Sequence, residues 1–214
     1  MNESRFSKEM LQCPICLNEF EATVWQTVEA DTDPDLKDKL LRKDLLTQLC
    51  ANCGHAWIPA GPLLYRDVSQ KLLIYCHAGQ STEQASAVVA MTPGLPGCTM
   101  RLVTDTNSLN EKIHIFDHHC DDRMIEFIKL AVRRQGPEDQ AEPIASLYFL
   151  TADDRTFRFL AAGEDGSWYT LDLESQIYLN AEALTEGHLP DATGRWLSVG
   201  EDFADDLLRR LADQ

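Results

Sequence analysis

Apolar residues recur at two different spacings along this chain, and the spacing changes from one segment to the next. Phe20, Val24, Trp25 and Val28 fall in a stretch rich in aromatic and β-branched residues, which predicts a strand over Phe20 to Val28. Thr32-Asp33-Pro34-Asp35 reads as a helix entry, with Asp33 able to cap free amides and Pro34 suited to the first helical position. That helix is expected to run to about Leu45, with Leu36, Leu40 and Leu41 on one face and Lys37, Lys39 and Lys43 outward. Leu63-Leu64-Tyr65 and Leu72-Leu73-Ile74-Tyr75 flank the polar turn Asp67 to Gln70, so Pro62 to Gly79 reads as a hairpin.

Further along, Thr82 to Met91 is weakly helical, and Thr92 to Gly97, with two prolines and two glycines, is a loop. Met100 to Thr104 and Lys112 to Phe116 are expected as strands. Asp121 to Gln135 carries Met124, Phe127, Ile128 and Ala131 at helical spacing, acids at its start and Arg133 and Arg134 at its end, and Gly136-Pro137 stops it. Ile144 to Thr151, Phe157 to Ala161, Trp168 to Leu173 and Ile177 to Leu179 are short strand candidates. A closing helix follows, with Ser198 and Glu201 in a capping-box pattern and Phe203, Leu207, Leu208 and Leu211 as its apolar stripe.

Charge changes this picture in one respect. The 214 residues carry a formal net charge of −16, and residues 136–214 hold 17 acidic residues against five arginines, a net of −12. No lysine follows Lys129. The shift marks a boundary near Gln135-Gly136-Pro137, between a domain over 1–135 and an acidic, β-rich region over 136–214 that ends in an amphipathic helix. It also counts against an extended nucleic-acid surface, which needs clustered Lys and Arg. No apolar run is long enough for a membrane span, and the N-terminal residues do not read as a secretory signal. With seven cysteines and no such signal, a reduced cytoplasmic setting fits better than a disulfide framework.

Four of those cysteines form two couples, Cys13-Pro14-Ile15-Cys16 and Cys50-Ala51-Asn52-Cys53-Gly54. Two residues between cysteines let one tight turn aim both thiolates at a single ion, and two such turns close a tetrahedral site. The expected ligands are Cys13, Cys16, Cys50 and Cys53, and the expected cofactor is one structural Zn²⁺, with iron the alternative. Gly54 suits the left-handed conformation of such a turn.

Several blocks in this order resemble the CpXC family of bacterial and archaeal proteins, over about Leu11 to Leu130. They are Cys13-Pro14-Ile15-Cys16, Asp33-Pro34-Asp35-Leu36, Cys50 to Gly54 and Leu63-Leu64-Tyr65-Arg66-Asp67. Glu111-Lys112-Ile113, Asp121-Asp122-Arg123 and Ile125-Glu126-Phe127-Ile128-Lys129 complete the set. The resemblance implies a metal-binding domain over this stretch and brings no activity with it.

Asp117-His118-His119-Cys120-Asp121-Asp122 is a second candidate site, since imidazole, thiolate and carboxylate together can hold an ion with an open position. Adjacent side chains diverge, however, so His118, His119 and Cys120 also read as a polar turn ahead of a helix. Cys76, Cys98 and Cys120 lack a couple partner and read as small buried hydrophobes, Cys98 being the most exposed. Asp105, Glu111 and Lys112 have no chemical constellation around them. Trp25, Tyr65, Tyr75, Trp168, Tyr169 and Trp196 are expected in core packing. No phosphate loop, nucleophile elbow or zinc-protease helix is present.

The expected fold is α+β. A zinc ribbon of knuckles, helix and hairpin opens a domain of antiparallel strands and helices, and the acidic strand-rich region follows. The expected function is a zinc-stabilised, non-enzymatic module that binds another protein, one with a basic surface. The alternatives are an enzyme with its site near Asp117 to Asp122 and a nucleic-acid-binding ribbon.

Overall fold

A computed structural model describes residues 3–91, 94–135 and 143–213. Its elements are β1 (Arg5–Gln12), β2 (Glu19–Glu29), α1 (Pro34–Leu41), β3 (Gln48–Leu49), β4 (Ala56–Trp57), β5 (Leu63–Asp67) and β6 (Leu72–Cys76). After these come α2 (Thr82–Met91), β7 (Thr99–Val103), α3 (Thr106–Asp117), α4 (Asp122–Gln135), β8 (Ile144–Ala152) and β9 (Thr156–Gly163). The chain closes with β10 (Trp168–Glu174), α5 (Gln176–Thr185), β11 (Trp196–Leu197) and α6 (Glu201–Ala212). This is a mixed α+β chain in two compact units: Met1–Asn110 with Ala192–Leu197, and Glu111–Asp191 with Ser198–Gln214. The residues at which composition shifts, Gly136 and Pro137, lie outside the described residues, as do Thr92 and Pro93.

In the first unit a six-stranded sheet runs β1-β2-β5-β6-β7-β11. The expected hairpin of β5 and β6 is present, with Tyr65 opposite Ile74. Every residue of β6 is buried, as an unbroken apolar run at the middle of a sheet requires. Parallel neighbours need long connections. The one between β6 and β7 contains α2, and the one between β2 and β5 contains α1 and the small β3–β4 hairpin. β2 meets β5 at Thr27, Val28 and Glu29, whereas it pairs with β1 from Glu19 to Thr27. The β1–β2 ribbon therefore runs on past the rest of the sheet.

The second unit pairs the antiparallel sheet β10-β9-β8 with helices. Phe157, Phe159 and Ala161 alternate inward on β9 and join Ile115, Met124, Ile128, Phe149 and Leu207 in one core.

Three expectations are corrected here. Lys112 to Phe116 is not a strand: it lies in α3, whose start is set by Asp105, which accepts the Asn107 and Ser108 amides at 2.9 Å each. Ile177 to Leu179 is also helical, within α5, where the Thr185 hydroxyl donates to the Ala181 carbonyl. The Ser198–Glu201 box does not cap α6, because Gly200 occupies the N-cap position. In addition, α1 stops at Leu41, and Asp33 makes no side-chain cap. Tyr65 and Tyr75 are buried as expected, but Trp168 is exposed. β1 had no counterpart in the sequence pattern.

Phe159 is fully buried against Phe149, their rings 5.8 Å apart. Phe159→Ala is expected to cost about 3–5 kcal/mol of unfolding free energy, read from urea titration.

Candidate metal centre

The first cysteine couple sits in the turn between β1 and β2, and the second between β3 and β4. Their backbones match bond for bond. Leu17 N–H donates to the Cys13 carbonyl and Gly54 N–H to the Cys50 carbonyl, at 3.0 and 2.8 Å. Cys13 N–H donates to the Asn18 carbonyl and Cys50 N–H to that of His55, at 3.0 and 2.9 Å. Both knuckles therefore place the residue after the second cysteine in the left-handed region, Leu17 at φ 61° and Gly54 at φ 72°. Glycine does this freely; a leucine there stores about 1–2 kcal/mol.

These turns gather the four sulfurs within 4.8 Å of one another. Cys13 Sγ is 3.6 Å from Cys53 Sγ, and Cys16 Sγ is 3.5 Å from Cys50 Sγ. A disulfide needs about 2.05 Å. A tetrahedral ion with bonds of about 2.3 Å sets its sulfurs about 3.8 Å apart. The spacing thus fits four ligands around one ion. Cys13 and Cys50 are buried, Cys16 is half-buried and Cys53 is exposed.

The thiols are unequal before any ion is added. The Asn52 side chain and then the Asn18 amide stabilise the Cys16 thiolate and bring it down to about 6. At Cys53 the His55 amide pulls downward, but desolvation and the other three thiols outweigh it and push it up to about 12. Hydrogen bonds thus favour the thiolate at Cys16, while desolvation and the neighbouring thiols favour the thiol at Cys53. His55 lies outside the ligand set, its ring stacked on Trp57 at 5.8 Å.

Among the described residues, no other group of three or more His, Cys, Asp or Glu side chains converges in this way. His118 Nδ1 donates to the His114 carbonyl at 2.8 Å, which leaves Nε2 to accept from the Thr151 hydroxyl at 2.9 Å. His119 lies exposed in a left-handed turn at φ 56°. The Cys120 thiol points at the His118 carbonyl, and burial, then Asp121, pushes it up to about 11. The three are neighbours in sequence but do not converge on one point.

A different cluster went unforeseen. Lys112 Nζ lies 2.9 Å from Glu126 and 3.2 Å from Asp122, while Lys129 Nζ lies 2.8 Å from Glu111 and 3.1 Å from Glu126. Glu111 also accepts the Phe149 amide at 2.7 Å. Three carboxylates thus share two ammonium groups inside the second unit. Burial raises Glu111 despite the pull of Lys129. Glu126 resists its own burial because Lys112 and Lys129 both face it, and it ends lowered. Lys112, wholly enclosed, is raised by Glu126 and Asp122 against its burial. The available signal was Asp122, Glu126 and Lys129, one helical face of charge inside an otherwise apolar pattern. Reading α3 as a strand hid their partners.

A sequence profile described as CpXC protein matches residues 11–129. The chain belongs to the CpXC family. The CpXC segment contains all four cysteines and all five members of the ion cluster, and it ends inside α4. No curated protein and no solved structure matches the chain.

Two measurements follow from this geometry. A Cβ added at Gly54 meets nothing within 4 Å. Gly54→Ala should therefore lose about 1–2 kcal/mol through backbone conformation alone, whereas Leu17→Gly should stay within about 1 kcal/mol of the parent in the same thermal melt. In the ion cluster, a raised Glu111 makes the folded state hold more protons than the unfolded state as pH climbs above 4.5, so its share of stability falls with pH in that window. Glu111→Gln should flatten that decline in urea titrations run from pH 4.5 to neutrality.

Proposed function

We propose that this CpXC chain is a non-enzymatic protein-interaction module whose four-cysteine centre holds one structural zinc ion. The observation that carries the reading is the donor set. Four thiolates fill a tetrahedral ion and leave no position for a reacting water or substrate, so such an ion braces the fold. Zinc suits four sulfurs without redox chemistry, and iron is the competitor for the same set. With a knuckle at the end of each of two small hairpins, a zinc ribbon is the natural description of this part. The ribbon buries little surface of its own, so the ion supplies much of its folding free energy, on the order of 10–16 kcal/mol in structural zinc peptides.

A net charge of −16 favours a partner with a basic surface, because long-range attraction speeds the encounter. It disfavours nucleic acid. Among the described residues no helix is long and apolar enough to cross a membrane.

Elemental analysis of the purified chain should return one zinc per chain. Cys16→Ser and Cys53→Ser should return metal-poor protein with a lowered melting temperature; full occupancy and unchanged melting in both would overturn the structural role. A red protein with visible charge-transfer absorption would replace zinc by iron. For the interaction role, a partner captured by the metal-loaded chain should be basic, and its association should slow as salt is raised. Capture of no partner at low ionic strength would remove that role.

A further inference from the structure

Beside the start of α1, the first unit has an open depression of about 450 Å³ with an unusual chemistry. Its walls include Phe6 and Trp25, directly opposite each other on β1 and β2, with ring centroids 5.2 Å apart and planes tilted by 56°. Phe6 is 54% exposed. Two acidic residues, Glu3 and Asp33, line the same depression, Leu36 adds an apolar side, and among the described residues no lysine or arginine lines it.

Asp33 occupies the N-cap position of α1 yet gives its side chain to none of the free helix amides. One of its oxygens instead accepts from the Ser4 amide at 3.3 Å and the Thr32 hydroxyl at 3.5 Å, both long contacts. The start of α1 contributes roughly half a positive charge, and Asp33 with Asp35 in the first turn outweighs it.

Aromatic faces are negative and attract cations, most strongly those with weakly held water such as quaternary ammonium groups. Two tilted rings beside two acidic residues suit a cation that also has an apolar surface. A bare metal ion would gain nothing from the rings, and a neutral hydrocarbon nothing from the carboxylates. We propose that this depression is a binding site for an alkylammonium group, with Phe6 and Trp25 facing its methyl or methylene carbons and Glu3 and Asp33 balancing its charge. The site is separate from the cysteine centre, and it stands whether or not the interaction role does.

The test uses the full metal-loaded chain and follows the Trp25 indole N–H by NMR. Choline is titrated against 3,3-dimethylbutanol, which has the same shape without the charge, at matched ionic strength. Choline should shift the signal saturably and bind at least about ten-fold more tightly than the alcohol. Phe6→Leu keeps apolar bulk on a mostly exposed position and should weaken choline binding by about five-fold or more, with an unchanged melt. Asp33→Asn should weaken it to a similar degree. A peptide carrying trimethyl-lysine provides the second arm: binding tighter than choline assigns the cation to a protein side chain, and equal binding assigns it to a free small molecule. Absence of a saturable shift, equal affinity for the neutral alcohol, or full binding by Phe6→Leu would overturn the proposal.

Discussion

Four sulfur atoms packed within 4.8 Å of one another cannot all be thiolates unless positive charge is brought among them. The first unit is arranged around that constraint. One couple closes the β1–β2 ribbon where it runs beyond the sheet, and the other lies within the long connection that parallel pairing of β2 and β5 demands. An ion at this point would tie a projecting ribbon to a crossover, which the Gln48 side chain also links by reaching the Thr23 carbonyl at 3.3 Å. The strain at Leu17 belongs to the same account. The first turn, built to the same pattern as the second, places a leucine where glycine is easier.

The second unit meets a similar problem by other means. Its carboxylates are brought inside and answered by Lys112 and Lys129 from the same pair of helices. Such a cluster adds little net stability over well-packed apolar side chains, but loss of any one member strands the others. Its bonds tie α3 to α4 through Lys112 and Glu126 and to β8 through Glu111 and the Phe149 amide. The same unit buries Phe149, Phe157 and Phe159 in one core with Ile115, Met124, Ile128 and Leu207.

How much of this could be read beforehand depended on how local the cause was. The cysteine couples were legible because ligand spacing within a turn is a local property, and β6 because an unbroken apolar run has few other uses. Lys112 to Phe116 alternates well enough to pass for a strand, and the decisive evidence, the Asp105 cap, sits several residues upstream. Ile177 to Leu179 has the same ambiguity of a short apolar run. β1 was invisible because nearly every residue in it is exposed, so its strand character comes from pairing with β2 and leaves no alternation behind. Asp33 was misjudged for a related reason. Ser4, the group that draws its carboxylate away from α1, arrives from 29 residues earlier in the chain.

β11 completes the six-stranded sheet from Trp196 and Leu197, pairing with Met100 and Arg101 almost a hundred residues upstream. The four clustered cysteines, by contrast, all precede α2 and β7. During synthesis the four cysteines therefore emerge well before β11, so they can gather while the far edge of the same sheet is still open. The sheet is thus anchored early at one end and finished late at the other, and in that interval the outer edge of β7 is an unpaired strand that a nascent chain must keep from neighbours.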